Sequence, residues 1–351
     1  MTNDPGASWP DTVLVTGAAG FIGSNFVRRL AAGGATVTAL DNFSRPNSRR
    51  NADGLRRDLV TDVSFVEADV RDADAVMSAA RHADAIVHLA GQTAVTRSIV
   101  DPRDDFLDNA LGTFNVLEAA RLSGRDPIVL YASTNKVYGT LDDLEIVEEP
   151  DHYRFADFPG GIDETRPIDF VSPYACSKGA GERYVVDYSR TYGLPTVAFR
   201  QSCVYGEHQF GVEDQGWLAW FLLALRAGRP LTIFGDGKQV RDLLHVDDLF
   251  ACFSAAVGSI DTARGEVFNV GGGPDNSLSI WWQLAPLFEG ALGMTLPEPT
   301  FADWRLGDQR VFVADSGKAR RELGWAPTIK PRDGIRRMLE WLESVDSSDL
   351  P

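Results

Sequence analysis

The sequence predicts an α/β fold in which a doubly wound parallel sheet carries a smaller, mixed α/β region toward the C-terminal end. Three observations predict it. Short β-branched or apolar runs alternate with helical patterns through the first 200 residues, and the first run ends on a cluster of glycines. After about residue 201 the alternation loosens, and seven of the eight tryptophans, all but Trp9, fall beyond that point. Strands that alternate with helices imply a parallel sheet covered on both faces.

The elements follow in order. Residues 12–16 read as a strand, the glycine cluster as a tight turn, and 21–30 as an amphipathic helix. Strands are expected at 36–40, 63–66, 85–89 and 128–131, with helices at 72–80 and 105–122 between them. After Gly139 the regularity gives way to an acidic segment containing proline and glycine, residues 140–172, which reads as a long loop of the functional or mobile kind. A helix returns at 173–192 with Pro173 in its first turn, followed by a strand at 195–200. No internal repeat or low-complexity tract is evident.

Composition narrows the function. The 351 residues include 34 basic and 50 acidic side chains, a formal charge of −16, which argues against nucleic-acid or anionic-membrane partners because these require a basic surface. No apolar run reaches the ~18 residues of a membrane span, and the first ten residues show neither a basic cluster nor an apolar stretch, so a cytoplasmic protein is expected. Cys176, Cys203 and Cys252 are odd in number and far apart, which suits a reducing compartment. Neither the cysteines nor the five histidines show paired metal-ligand spacing, so no metal is expected. Only five basic residues are lysine: Lys136, Lys178, Lys238, Lys318 and Lys330. Where lysine is this scarce, its positions point to sites that need an ammonium, although an arginine-biased coding preference explains the scarcity as well.

Gly17-Ala-Ala-Gly20-Phe-Ile-Gly23 lies between strand and helix, where glycines let the backbone approach a pyrophosphate seated on the helix N-terminus. Glycines so spaced also occur in ordinary turns, but Asp41 at the end of the second strand supplies the carboxylate that would accept bonds from an adenosine ribose. Together they predict a Rossmann-type dinucleotide site. Asp41 favours NAD, since a carboxylate there would repel a 2′-phosphate; Arg45, Arg49 and Arg50 fit either NADP or a solvated basic loop, the commoner role of such a run. Tyr174 and Lys178 are four apart on a helix and share a face, so the ammonium, with an oxidised nicotinamide, would lower the phenol's pKa and make it a general base. Such pairs also arise by chance on exposed helices. Thr134, just beyond the strand at 128–131, offers a hydroxyl to a substrate oxygen or to its own turn. Cys176 reads as a pocket wall; Trp217 and Trp220 read as pocket or helix core.

These motifs, with Leu89-Ala90-Gly91, Asn109, Arg241-Asp242 leading to His245-Val-Asp247, and Arg305-x-Gly307-Asp308, resemble the extended short-chain dehydrogenase/reductase superfamily that acts on nucleotide sugars, over residues 12–325. Thr134-Asn-Lys-Val-Tyr-Gly139, Gly161-Ile-Asp-Glu164, Ser172-Pro-Tyr-Ala-Cys-Ser-Lys178 and Asp214-Gln-Gly-Trp217 look most like the CDP-paratose 2-epimerase (CDP-tyvelose epimerase) family. The resemblance implies an NAD site lined by Gly17, Gly20, Phe21, Ile22, Gly23, Asp41, Asn42, Asp69, Val70, Leu89, Ala90, Gln92, Asn109, Tyr174 and Lys178. It implies catalysis by Thr134, Tyr174 and Lys178, and a nucleotide-diphosphate sugar held by Thr134, Asn135, Cys203, Trp217, Arg241, Arg305 and Asp308. It also implies a homodimer or homotetramer, with pairing through helices 105–122 and 173–192.

On this resemblance residues 11–200 plus about 241–272 form the NAD-binding domain, and about 201–240 plus 273–345 the nucleotide-sugar domain. Two departures matter. Dehydratases of the superfamily carry Asp-Glu after the threonine, whereas this chain has Asn135-Lys136, and 4-epimerases place an asparagine where Cys203 stands. Ala175, in place of a glycine, reads as neutral. The expected activity is therefore inversion of carbon 2 of a CDP-deoxyhexose through a 2-keto sugar, with Tyr174 as base. A UDP-sugar or UDP-uronate 4-epimerase, another nucleotide-sugar enzyme of the superfamily and a non-catalytic NAD-sensing protein are the alternatives.

Overall fold

The computed structural model describes residues 9–45, 47–59, 63–213, 215–305 and 307–345. Seven parallel strands form the large sheet in the order Val267–Val270, Thr196–Gln201, Ile128–Thr134, Ala85–His88, Thr12–Thr16, Thr36–Asp41, Val63–Glu67. The chain starts in the middle, winds to one edge and returns to build the other, so its strands end side by side where the winding reverses. Being buried on both faces, the strands are apolar nearly throughout rather than alternating, as in Val13-Leu14-Val15 and Ile86-Val87.

On one face Phe26, Val27 and Leu30 of the helix Phe21–Ala32 meet Leu249, Cys252 and Phe253 of the helix Val246–Gly258. Phe253 stacks on Phe199 with ring centroids 4.0 Å apart and meets Phe26 edge-on at 5.0 Å. On the other face Val76, Val116, Leu117, Val185 and Tyr188 cover the sheet. The expected helix at 105–122 is interrupted: Pro102–Phe106 and Gly112–Leu122 are α-helical and Leu107–Leu111 between them is a π turn. At Gly112 a Cβ would stand 2.7 Å from Val70 Cγ2, so glycine lets the helix approach the turn that follows the strand Val63–Glu67.

The helix Pro173–Tyr192 has the expected bounds. Ser172 caps it by accepting the Ala175 amide at 3.1 Å, Pro173 occupies the first turn, and Gly193 ends it in the left-handed region at φ 76.

Residues 140–172, expected as an irregular loop, hold a short hairpin of Ile146–Glu148 and Tyr153–Phe155. Tyr153 and Phe155 are buried against Val240, Val311 and Phe312, and Tyr153 donates to Asp236 Oδ2 at 2.5 Å. Its packing partners lie more than 80 residues away, which local pattern does not reveal. In the smaller region Val240–His245 pairs with Cys203–Tyr205, Ser277–Ser279 and Val311–Phe312 in a four-stranded mixed sheet, and Thr232–Phe234 pairs with Thr300–Ala302. The chain leaves this sheet at His245 and returns to the large one through the helix Val246–Gly258 and the strand Val267–Val270.

Candidate active site

Two cavities open at the carboxyl ends of the large-sheet strands. The first, about 260 Å³, is lined by Gly17, Gly20, Phe21, Ile22, Gly23, Asp41, Asn42, Val70, Leu89, Ala90, Gln92, Tyr174 and Lys178. The glycines are required by close approach. Gly17 sits at φ +68 with the place of its Cβ 2.7 Å from the Ala90 nitrogen, and a Cβ on Gly23 would fall 2.0 Å from the Gly17 carbonyl oxygen. This presses strand and helix together, and the helix begins at Gly20 with no capping side chain and no acid in its first turn. Its first amides are thus available to an anion. Asp41 accepts the amides of Ala19 and Phe43 at 2.9 and 2.8 Å; burial raises its pKa and those bonds oppose the rise. A glycine cradle that a Cβ would fill, beside a carboxylate at the second strand's end, fits NAD.

The basic run nearby is engaged. Arg45 donates to Gln215 and Thr93 across the mouth of the cavity, Arg49 pairs with Glu67 at 2.8 Å, and Arg50 bonds Asn47 at 3.1 Å.

The second cavity, about 410 Å³, is lined by Thr134, Asn135, Lys136, Cys203, Trp217, Trp220, Arg241, Arg305 and Asp308 among others. Arg241 is buried and pairs with Asp308 at 2.6 Å, while Arg305 lies 3.8 Å from the Phe234 ring centroid. Trp217 donates its indole N–H to Cys203 Sγ at 3.4 Å, and burial pushes that thiol's pKa up. Trp217 and Trp220 both line this cavity and both pack against the apolar cluster of the smaller region.

The cavities meet at Tyr174, which lines both. Thr134 ends the strand Ile128–Thr134 and opens the turn Asn135–Tyr138; its hydroxyl accepts the Lys136 amide at 3.2 Å and acts to lower the pKa of the Tyr174 phenol. Thr134 thus serves its own turn and also lines the cavity. In the chain by itself burial raises the Tyr174 pKa, with the Thr134 hydroxyl opposing, while burial brings Lys178 down to about 7 against the pull of Asp105 and Glu182. The Lys178 ammonium lies 4.3 Å from the Tyr131 ring centroid. Lys178 alone therefore does not depress the phenol.

Asp69 and Asn109 do not line either cavity. Asp69 is held by Arg71 at 2.7 Å and by Asn42 at 2.9 Å, leaving Val70 as the wall. Asn109 is buried and donates to Asp105 and Ser177, both at 3.1 Å, on the far side of Gly91, whose added Cβ would lie 2.4 Å from its Oδ1. Gln92 also reaches Asp105, at 2.8 Å, so this set fixes the base of the Tyr174 helix. Asp214 lies outside the described residues.

The fold brings Glu207, His245 and Asp247 together, with ligand atoms within 4.8 Å, a cluster that linear spacing did not suggest. Arg29 and Arg337 pair with Asp247, so an ion-pair network already balances that carboxylate. Gln201 and Gln209 line both cavities, and Gln201 Nε2 and Gln209 Oε1 are buried without hydrogen-bond partners among the described residues. Such atoms suit a hydroxyl-rich ligand. Gln201 was findable, because it follows a parallel strand at its carboxyl end; Gln209 carries no such signal.

The chain belongs to the NAD dependent epimerase/dehydratase family, whose description matches residues 13–271, and NAD is its cofactor. Among individual proteins it is 39% identical to a CDP-paratose 2-epimerase of Salmonella typhi, over 95% of this chain and 99% of that one. It is 38% identical to a UDP-glucose 4-epimerase of Mycolicibacterium smegmatis, over 94% and 98%. The crystal structure of UDP-glucuronic acid 4-epimerase from Bacillus cereus, in complex with UDP-glucuronic acid and NAD, superposes with a TM-score of 0.81 at 27% identity, covering 95% and 99%.

Proposed function

We propose that this protein is an isomerase that inverts carbon 2 of a CDP-linked deoxyhexose, CDP-paratose to CDP-tyvelose. The observation that carries the epimerase reading is the meeting of two cavities at one phenol: a group there touches cofactor and sugar at once. NAD, when bound, supplies an acceptor and donor for the hydrogen of the reacting carbon. The chain's own residues do the rest. Tyr174 takes the hydroxyl proton and later returns it, Thr134 holds the reacting oxygen, and Lys178 places positive charge below the phenol. Arg241 and Arg305 hold the diphosphate with forked contacts while the sugar turns over.

Two features support carbon 2: the likeness to the Salmonella enzyme and Cys203 at the position where 4-epimerases place an asparagine, while the absence of an acid-base pair after Thr134 counts against dehydration. The likeness to a UDP-glucose 4-epimerase favours the second reading, carbon 4 of a UDP-sugar. NMR of the products from a panel of CDP- and UDP-sugars separates them: inversion at carbon 2 of the CDP-sugar is expected, and inversion only at carbon 4 overturns it.

The same proposal places residues 11–200 plus about 241–272 around NAD and about 201–240 plus 273–345 around the sugar nucleotide, in the cytoplasm. No helix among the described residues is long and apolar enough to cross a membrane. It also takes the working unit to be a homodimer or homotetramer.

A further inference from the structure

Lys136 stands on the turn directly after Thr134 and lines the sugar-side cavity. Its ammonium, with three donors, makes one hydrogen bond among the described residues, to Gln309 Oε1 at a long 3.4 Å. That oxygen is shared with Asn135 Nδ2, also at 3.4 Å, and Gln309 is itself buried and anchored by its Nε2 donating to the Gly139 carbonyl at 2.6 Å. Arg241, Asp308 and Cys203 line the same cavity. Asp308 already pairs with Arg241. No ion pair to Lys136 occurs among the described residues, although the chain carries an excess of 16 negative charges. With Arg241 balanced by Asp308, the Lys136 ammonium is the charge in this cavity that an entering anion would meet without an ion-pair partner among the described residues.

We infer that Lys136 is a positioning residue that selects the reacting carbon, its ammonium holding the sugar-proximal phosphate of the nucleotide sugar beside the Thr134–Tyr174 pair. The inference rests on the carbon-2 reading above and deepens it. In a nucleotide sugar the diphosphate hangs from carbon 1, so carbon 2 is three bonds from the nearer phosphorus, through carbon 1 and its oxygen. When the carbon-2 hydroxyl faces Thr134 and Tyr174, that phosphate comes within reach of residues flanking Thr134. When carbon 4 faces them, the phosphate is across the ring. An ammonium two residues after the threonine serves the first pose and not the second, and a carboxylate there would repel the phosphate.

The test compares the parent holoenzyme with Lys136→Met, which keeps the volume and removes the charge, and Lys136→Arg, which keeps the charge. Titration with CDP, which carries the proximal phosphate, and with CMP, which lacks it, should show CDP binding weakened roughly tenfold to a hundredfold in Lys136→Met. CMP binding should stay within about twofold. KM for the CDP-sugar should rise in step with the loss of CDP affinity, Lys136→Arg should recover most of both, and NAD content and melting temperature should match the parent. Unchanged CDP affinity in Lys136→Met, or equal losses for CDP and CMP, would overturn the inference. Carbon-2 inversion by the parent with either of those results leaves the proposed function standing and removes Lys136 from it. If NMR shows the parent inverting carbon 4, the carbon-2 reading falls and selection by Lys136 falls with it.

Discussion

At Tyr174 two requirements conflict. A base must lose its proton near neutral pH, yet burial holds this phenol above its ordinary value, and the ammonium meant to help is itself lowered to about 7. The conflict is resolved only when further positive charge lies against the phenol. Tyr174→Phe should lower kcat by roughly 10²–10⁴-fold while NAD released on denaturation, measured by mass spectrometry, stays near the parent level. His88 makes a second residue-scale prediction. It is fully buried between Thr16 Oγ1 at 2.7 Å and Thr113 Oγ1 at 3.0 Å, and burial, then Lys178, lower its pKa to about 3. A depressed histidine adds stability that is complete above about pH 6.5 and is lost as pH falls toward 3, because the unfolded chain binds the proton first. Chemical unfolding between pH 6.5 and 5 should lose up to about 1.4 kcal/mol per pH unit from this group; His208, lowered by burial to about 4, adds a slope of the same sign, while Asp108 and Asp242, raised by burial to about 6, act in the opposite direction. His88→Gln should flatten that slope; an unchanged slope would show that His88 does not carry it.

At the scale of elements, the glycine turn and the helix Pro173–Tyr192 show how much was readable in sequence. Both rest on local rules: glycines where a strand meets a helix, and serine then proline at a helix start. Both stand where expected, and Asp41, Tyr174, Arg241 and Arg305 line the two cavities. What was hidden depends on distant packing. The hairpin in residues 140–172 has strands of three residues, too short for a period, and is held by Phe312 and Asp236. Asn109 matches a family pattern in sequence, but its amide fixes Ser177 and Asp105 behind the wall, and only three-dimensional placement shows that. The pKa of Tyr174 was also out of reach, since burial sets it. At the turn itself, Gly23→Ala would push a methyl to 2.0 Å from the Gly17 carbonyl, so the backbone must move. NAD retention should fall roughly tenfold or more, read from cofactor content after purification; retention at the parent level would contradict the close-packing account.

Over the whole molecule, the charge of −16 argues against polyanionic partners, yet both expected ligands are diphosphates. The acidic total therefore coexists with a local cationic lining of Lys136, Arg241 and Arg305 around one cavity and a bare helix N-terminus at the other. Phe106, Phe114, Tyr184 and Tyr192 remain exposed on the helices Pro102–Phe106, Gly112–Leu122 and Pro173–Tyr192, with Phe114 edge-on to Tyr184 at 5.7 Å. Light scattering should report at least twice the 38.3 kDa chain mass, and Phe114→Glu with Tyr184→Lys should reduce it to one chain; a monomeric parent would contradict the dimer reading. The central claim is that hydrogen leaves carbon 2 and returns to the same carbon from the opposite face, within one active site. The direct measurement is turnover of CDP-paratose deuterated at carbon 2 in ordinary water, followed by NMR and mass spectrometry of the product. The account predicts CDP-tyvelose that keeps its deuterium at carbon 2; product in which that position carries hydrogen from the solvent would contradict it.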